Sequence, residues 1–262
     1  MQDLNRDAVQ ERLEALGFEV KPIAESNSSR QPDLVARADS ATMYVEVKTR
    51  VEDVALRAEM EAVSVGATTA ILTGLDKHNA LSDAIKHASS QLAVAASPHD
   101  FRLLWYRADN SPFVHDALEQ IGATLYGTRM VVIESHSGPL PRACVYAGHA
   151  DFYRYQDIDG AMVEVDHLIT LLLNPFSPRR SAFSASRIAT VVHPSVFDVD
   201  KAAQDGTVFV VDGSAPRHSD DELLSHLRAK YPSDKFYGFV RHCAGTVITT
   251  IDGRSRGVSS RT

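Results

Sequence analysis

Hydrophobic and polar residues alternate in two neighbouring stretches near the start of the chain. Residues 31–37 read Gln-Pro-Asp-Leu-Val-Ala-Arg, and residues 42–50 read Thr-Met-Tyr-Val-Glu-Val-Lys-Thr-Arg. Alternation with a period of two, with many β-branched and aromatic residues, is typical of strands, and residues 38–41 are short enough to join them as a hairpin. Because side chains two positions apart share a face of a strand, Glu46 and Lys48 are predicted to project from one face together with Tyr44.

The predicted hairpin brings two acids together. If Arg37 pairs with Thr42, antiparallel pairing places Asp33 opposite Glu46. Two adjacent carboxylates repel each other, and one of them must hold a proton unless a cation lies between them. Oxygen ligands of this kind suit Mg2+ or Mn2+, which can polarise a phosphoryl oxygen and lower the pKa of a bound water. Lys48 on the same face could then orient the water or neutralise charge that develops on the phosphate.

The order of these residues resembles the PD-(D/E)xK superfamily, the restriction-endonuclease-like nucleases. A helix-like run at residues 4–16 leads into Gly17-Phe18-Glu19-Val20, then a polar loop, then Pro32-Asp33, and then Glu46-Val47-Lys48. By this resemblance Asp33 and Glu46 are metal ligands and Lys48 is the catalytic lysine. The implied activity is metal-dependent hydrolysis of phosphodiester bonds in nucleic acid, with DNA as the expected substrate. The resemblance extends over about the first half of the chain.

Two helices offer further candidates for the site. Residues 80–96 carry an apolar stripe at i, i+3, i+4 and i+7 spacing, and Gln91 lies at its edge. Several nuclease families carry a glutamine on the helix after the Glu-x-Lys strand, so the resemblance makes Gln91 a candidate catalytic residue; the alternative is a boundary glutamine of an amphipathic helix. The first helix offers three more acids, Asp7, Glu11 and Glu14.

The order of elements predicts an α/β fold. A mixed sheet flanked by helices, the restriction endonuclease-like core, is expected over residues 1–134, with an α+β C-terminal extension or small second domain over residues 135–262. Within the core we predict a helix at 54–65 and strands at 68–73, 101–106 and 130–133. Beyond it, residues 152–155 are predicted to form a strand and residues 254–262 a disordered tail. The strands of the second half either extend the first sheet or form a small subdomain.

Residues 174–187 are rich in proline, serine and arginine and are predicted to form a mobile basic loop. Arg179, Arg180 and Arg187 could contact the phosphates of a nucleic acid through this loop. The alternative is a solvated linker.

Composition changes this picture in a few places. The formal net charge of −7 is unfavourable for a protein that approaches a polyanion, although local patches rather than the sum decide binding. No apolar stretch approaches the length of a membrane span, and no apolar run follows the charged N-terminal residues, so we expect a cytoplasmic protein without a membrane partner. Cys144 and Cys243 form no metal-ligand pair motif, and no phosphate-binding glycine loop or nucleophile elbow occurs.

One alternative function stays open. A nuclease-like fold that has lost catalysis could act as a binding or assembly subunit. For the active form, cleavage of both strands of a duplex would call for a homodimer.

Overall fold

The structure is a computed structural model, and it describes residues 4–24, 31–49, 68–75, 79–108, 114–165, 168–192, 195–213, 215, 217, 219–251 and 254–261. Its helices are α1 (Leu4–Ala15), α2 (Asn79–Ala95), α3 (Val114–Tyr126), α4 (Asp151–Arg154), α5 (Arg180–Ser184), α6 (Arg187–Val191), α7 (Val199–Gln204) and α8 (Asp220–Lys230). Its strands are β1 (Glu19–Pro22), β2 (Leu34–Ala38), β3 (Ala41–Thr49), β4 (Thr68–Gly74), β5 (Phe101–Ala108), β6 (Arg129–Ser135), β7 (Gly138–Val145), β8 (Gly160–Val165), β9 (Leu168–Leu173), β10 (Val196–Phe197), β11 (Phe209–Val210), β12 (Phe236–Val240), β13 (Cys243–Ile251) and β14 (Arg254–Arg261). The predicted polar loop at 25–30 and the predicted helix at 54–65 lie outside the described residues.

Strands β2 and β3 form the predicted hairpin. They pair antiparallel with Arg37 opposite Thr42 and Leu34 opposite Val45, which confirms the register inferred from the sequence. The connecting turn is tight, and Asp39 within it adopts a φ of 55°. Aspartate tolerates this left-handed conformation better than most residues, so the turn can reverse the chain without a glycine.

The hairpin belongs to a seven-stranded mixed sheet with the order β1-β2-β3-β5-β8-β9-β10. The pairs β1–β2, β2–β3 and β8–β9 are antiparallel, whereas β3–β5, β5–β8 and β9–β10 are parallel. Strand β5, predicted at 101–106, lies at the centre of the sheet, and its largely apolar and buried sequence fits a strand that is covered on both faces.

Helices cover both faces of this sheet. On one face, Val9 and Leu13 of α1 pack with Val45 and Trp105 in a buried cluster. On the other face, α2 and α3 pack against Leu104 and Tyr106, and Tyr44 lies beside this second cluster. The predicted alternation along β3 is therefore correct: Tyr44, Glu46 and Lys48 face α2. The fold is a mixed α/β fold with a seven-stranded mixed sheet flanked by helices.

The predicted division at residue 134 does not coincide with a boundary in the sheet. Strands β8, β9 and β10 lie beyond that residue, yet they complete the sheet that contains the hairpin. The second half is expected either to extend the first sheet or to form a small subdomain, and strands β8, β9 and β10 extend the first sheet. The pairing of β8 with β5 joins residues about sixty positions apart, and no local pattern encodes such a partner.

Two smaller sheets contain the remaining strands. Strands β11, β7, β6 and β12 form a four-stranded sheet that is packed against α8 through Leu223, Leu224 and Leu227, and β14, β13 and β4 form a three-stranded one. Strands β4 and β6, expected in the main sheet, therefore lie elsewhere. The tail predicted to be disordered forms β14, because β13 offers it a continuous antiparallel partner. Among the residues that the structure describes, no helix is both long and apolar enough to cross a bilayer.

Two local predictions of the second half are wrong. Residues 151–154 form helix α4 rather than a strand, because tertiary contacts override the local strand propensity: Asn174 Nδ2 donates to the carbonyl oxygens of Phe152, Tyr155 and Ile158. The segment predicted to be a mobile loop, residues 174–187, contains α5 and the start of α6, and Asn174 and Phe183 in it are fully buried.

Candidate metal and catalytic site

The backbone of the hairpin fixes the carboxylate of Asp33. Its N–H donates to Val45 O at 3.1 Å, and its own carbonyl accepts from Ile23 N at 2.9 Å. Asp33 Oδ2 accepts from Val47 N at 2.7 Å. The paired residues of the hairpin end at Leu34–Val45, next to Asp33, and the Asp33 carboxylate lies beside Glu46, so the two acids are neighbours as predicted.

Glu46 is a buried acid, with only 1% of its surface exposed. Burial raises its pKa, the neighbouring Asp33 carboxylate raises it as well, and the contact with the Lys48 ammonium acts in the opposite direction; the net result is a pKa of about 7. Oε1 accepts from Lys48 Nζ. Oε2 is buried, and no described residue donates a hydrogen bond to it. A carboxylate oxygen left in this state is costly unless it shares a proton with Asp33 or meets a cation.

Lys48 and Gln91 complete the cluster. Lys48 Nζ, in a side chain that is 26% exposed, also lies 3.5 Å from Gln91 Oε1. Gln91 Nε2 donates to Gln31 O at 3.0 Å, just upstream of Asp33. The buried stripe of α2, which includes Ala88 and Leu92, packs on the sheet and turns Gln91 toward β3. The structure thus brings together Asp33, Glu46, Lys48 and Gln91.

The residues present fit a divalent cation such as Mg2+. Asp33 and Glu46 supply hard carboxylate oxygens, and Mg2+ is commonly held by one or two carboxylates while it keeps several waters. No third ligand side chain joins them within the described part of the chain, where no group of three or more His, Cys, Asp or Glu is found that could hold a metal. On α1, Glu11 and Glu14 are exposed and Asp7 lies 4.0 Å from Arg6, so these acids give no sign of joining the site.

The three arginines of the predicted basic loop have contacts within the chain. Arg179 Nε contacts both carboxylate oxygens of Asp159 at 3.1 Å. Arg180 bridges Asp198 and Asp200 at 2.8 and 2.6 Å. The guanidinium of Arg187 lies 5.9 Å from the ring centroid of Phe18. Arg179 and Arg180 are therefore largely neutralised by carboxylates of the protein itself.

Sequence reasoning missed a second buried acid, Glu164, on the α1 face of the sheet. Its oxygens accept from Trp105 Nε1 at 2.9 Å and lie 3.5 Å from both Arg12 and Arg107. These contacts tie α1 to β5 and β8. The available signal was an acidic residue inside an otherwise apolar strand, Ala-Met-Val-Glu-Val, because such a residue usually has a buried partner.

The site has the parts that hydrolysis of a phosphodiester requires: two acids that can hold a cation, an amine beside them, and partial access from solvent. Comparisons with family models, with curated proteins and with solved structures found no match to this chain.

Proposed function

We propose that this chain is a metal-dependent nuclease that hydrolyses phosphodiester bonds in nucleic acid, with DNA as the expected substrate. The observation that carries the proposal is the Glu46 carboxyl group, which neighbours Asp33 and whose buried Oε2 has no hydrogen-bond donor among the described residues. A divalent cation would neutralise both carboxylates at once. The order α1-β1-β2-β3-β4-α2-β5, in which β4 belongs to another sheet, and the antiparallel hairpin that carries Asp33, Glu46 and Lys48 support the resemblance to the restriction-endonuclease-like nucleases.

In this proposal Asp33 and Glu46 hold Mg2+ or Mn2+, and each of the other residues has a role in positioning. A cation bound there would polarise a phosphoryl oxygen and lower the pKa of an attacking water. The Val47 N–H holds Asp33 in place. Lys48 is partly exposed, so its ammonium can meet a phosphate oxygen or orient the water, and Gln91 restricts where that ammonium lies.

Two observations favour the second candidate, a nuclease-like fold that binds without cutting. The net charge is −7, and two of the three arginines predicted to contact phosphate are paired with aspartates. Such a subunit would hold a partner or a nucleic acid without hydrolysis. A homodimer is proposed only for the active form on a duplex, where two sites are needed to cut both strands.

The test combines calorimetry with Mn2+ and cleavage of plasmid and oligonucleotide DNA in Mg2+ or Mn2+, with chelator as the blank. Asp33→Asn is the informative variant, because the amide oxygen can still accept from Val47 N–H while the charge is lost. Asp39→Asn is the matched control: it removes an exposed charge at the turn of the same hairpin, and asparagine also tolerates the positive φ. We expect Asp33→Asn to lose Mn2+ binding and cleavage, and Asp39→Asn to keep both.

The two candidates give different results. Metal binding that depends on Asp33, without cleavage of any substrate, would favour the binding subunit. If wild type and Asp33→Asn bind Mn2+ equally, the assignment of the metal site is wrong.

A further inference from the structure

A cavity of about 390 Å3 lies away from the hairpin, between α4, the loop that follows β7 and the loop that follows β11. Its volume lies in the range of small-molecule sites. Three aromatic residues line it. The ring centroids of Tyr146 and Phe176 are 5.2 Å apart, and those of Phe176 and Tyr153 are 5.3 Å apart. Tyr153 is 61% exposed, so one of the rings is open to a ligand.

Arg217 forms another part of the wall, and the edges of its guanidinium are already occupied. Nε donates to Tyr146 O at 2.8 Å, Nη1 to the carbonyl oxygens of Gly213 and Ala215, and Nη2 to Asp212 O. With its N–H groups used in this way, the guanidinium can offer a ligand mainly its flat face. Flat faces of arginine and of aromatic rings are the surfaces on which nucleobases stack.

Backbone contacts hold Tyr146 so that its ring, rather than its hydroxyl, lines the cavity. Its backbone has a φ of 60°, a left-handed conformation that tyrosine rarely adopts. Its N–H donates to Tyr126 O at 2.9 Å, and its carbonyl accepts from Arg217. Its hydroxyl is buried and has no hydrogen-bond partner among the described residues.

Helix α4, which carries Tyr153 and Arg154, is fixed from two sides. The buried Asp151 accepts from Ser82 Oγ of α2 at 2.5 Å. On the other side, Asn174 Nδ2 donates to Ile158 O at 2.6 Å, just beyond the helix. This wall of the cavity is therefore held by contacts within the chain, which lowers the entropic cost of binding.

The rim of the cavity carries positive charge. Arg154 is exposed and forms no ion pair with a described residue; its guanidinium lies only near the ring of Tyr155, at 5.7 Å. Asp212, the acid at the rim, contacts Lys230 at 2.5 Å, so its negative charge is offset. An anionic group next to a planar ring would thus meet a cation at this rim.

We propose that this cavity binds a nucleotide, with the base stacked against Tyr153 and the face of Arg217 and the phosphate at Arg154. The nucleotide can be free or can be one unit of a nucleic-acid strand. The cavity shares no lining residue with the Asp33 site, so this proposal does not depend on the nuclease activity.

The test is calorimetry in the presence of chelator, which leaves the metal site inactive. The probes are the four nucleoside 5′-monophosphates, the matching nucleosides, ribose 5-phosphate and a short single-stranded DNA. Nucleoside monophosphates are expected to bind better than either the nucleosides or ribose 5-phosphate. Tyr153→Ala should weaken the binding of the monophosphates by about tenfold or more, because a base–aromatic stack is lost. Arg154→Gln should weaken the binding of the monophosphates but not that of the nucleosides.

Tyr237→Ala is the matched control, since Tyr237 is an exposed tyrosine of β12 outside the cavity, and binding should not change. Asp33→Asn should also leave binding unchanged, which separates this cavity from the nuclease site. If the DNA binds more tightly than the monophosphates and Tyr153→Ala abolishes this binding, the ligand is one unit of a nucleic-acid strand. If the DNA and the monophosphates bind equally well, the ligand is a free nucleotide. Absence of binding at millimolar probe, or equal weakening by Tyr237→Ala, would overturn the proposal.

Discussion

Glu46 is a candidate site residue whose burial is costly. It is almost completely buried, it faces another carboxylate, and the contact with Lys48 offsets only part of the penalty, so its pKa rises to about 7. A residue whose pKa is shifted by burial and by a like charge is a typical candidate for a functional site. The same shift makes the stability of the metal-free protein depend on pH.

The sign of this dependence follows from proton binding. The unfolded chain loses the Glu46 proton near pH 4.5, whereas the folded protein keeps it until about pH 7. The stabilisation from this group is complete below the lower value and is lost as the pH rises through the higher one. We therefore expect Glu46→Gln, which cannot ionise, to gain stability relative to wild type by about 1–3 kcal/mol across this interval. Urea unfolding in chelator at several pH values measures the difference.

Glu19→Gln is the control for this prediction, because Glu19 is an exposed acid on β1. The difference in unfolding free energy between Glu19→Gln and wild type should not show the pH dependence expected for Glu46→Gln. A pH-independent difference for Glu46→Gln would show that Glu46 ionises normally in the folded protein.

At the scale of elements, the connection from β9 to α6 is held by a buried polar cluster. Asp159 accepts from Arg102 N at 2.8 Å, from Ser177 Oγ and from Arg179 Nε. Burial raises the pKa of Asp159, and its hydrogen bonds act in the opposite direction. The proline- and arginine-rich composition that suggested a loop is therefore compatible with ordered structure, because its polar groups find partners inside the fold.

Arg179→Ala tests whether this arginine serves the fold. Its removal leaves Asp159 buried without its cation, which we expect to cost about 3–5 kcal/mol of unfolding free energy. Arg187→Ala, in the same segment, removes a guanidinium that lies beside Gly17 and 5.9 Å from the Phe18 ring centroid, and should cost at most about 1 kcal/mol. Chemical denaturation of both variants gives the values. If both variants lose the same small amount of unfolding free energy, Arg179 again becomes a candidate for contact with phosphate.

At the scale of the whole molecule, the first half of the chain is not a closed unit. Strand β8 pairs with β5 over Leu103–Ala108, and the cluster around Leu104 and Tyr106 includes Ala161 and Val163 of β8. Without residues beyond 134, β5 would become an edge strand with apolar faces partly uncovered, which promotes aggregation. The candidate site would then sit one strand away from this open edge.

Truncation tests this dependence. A fragment of residues 1–134 is expected to be unfolded or aggregated, as judged by circular dichroism and by NMR spectral dispersion. A chain that ends at residue 242 keeps the seven- and four-stranded sheets and is expected to stay folded. If the shorter fragment folds and binds Mn2+ through Asp33, the predicted division at residue 134 is a true domain boundary.

The sequence by itself determined the hairpin, the register that sets Asp33 against Glu46, and the face that Lys48 shares with Glu46. These features follow from a period of two over a few neighbouring residues, which local geometry enforces. It also predicted α2 closely, and with it the position of Gln91. Only the tertiary structure decided that β8 joins β5, that residues 151–154 form a helix, that Arg179 pairs with Asp159, and that three rings meet around a cavity. Each of these depends on partners distant in sequence, and because packing in the folded chain selects such partners, no local pattern of residues can specify them.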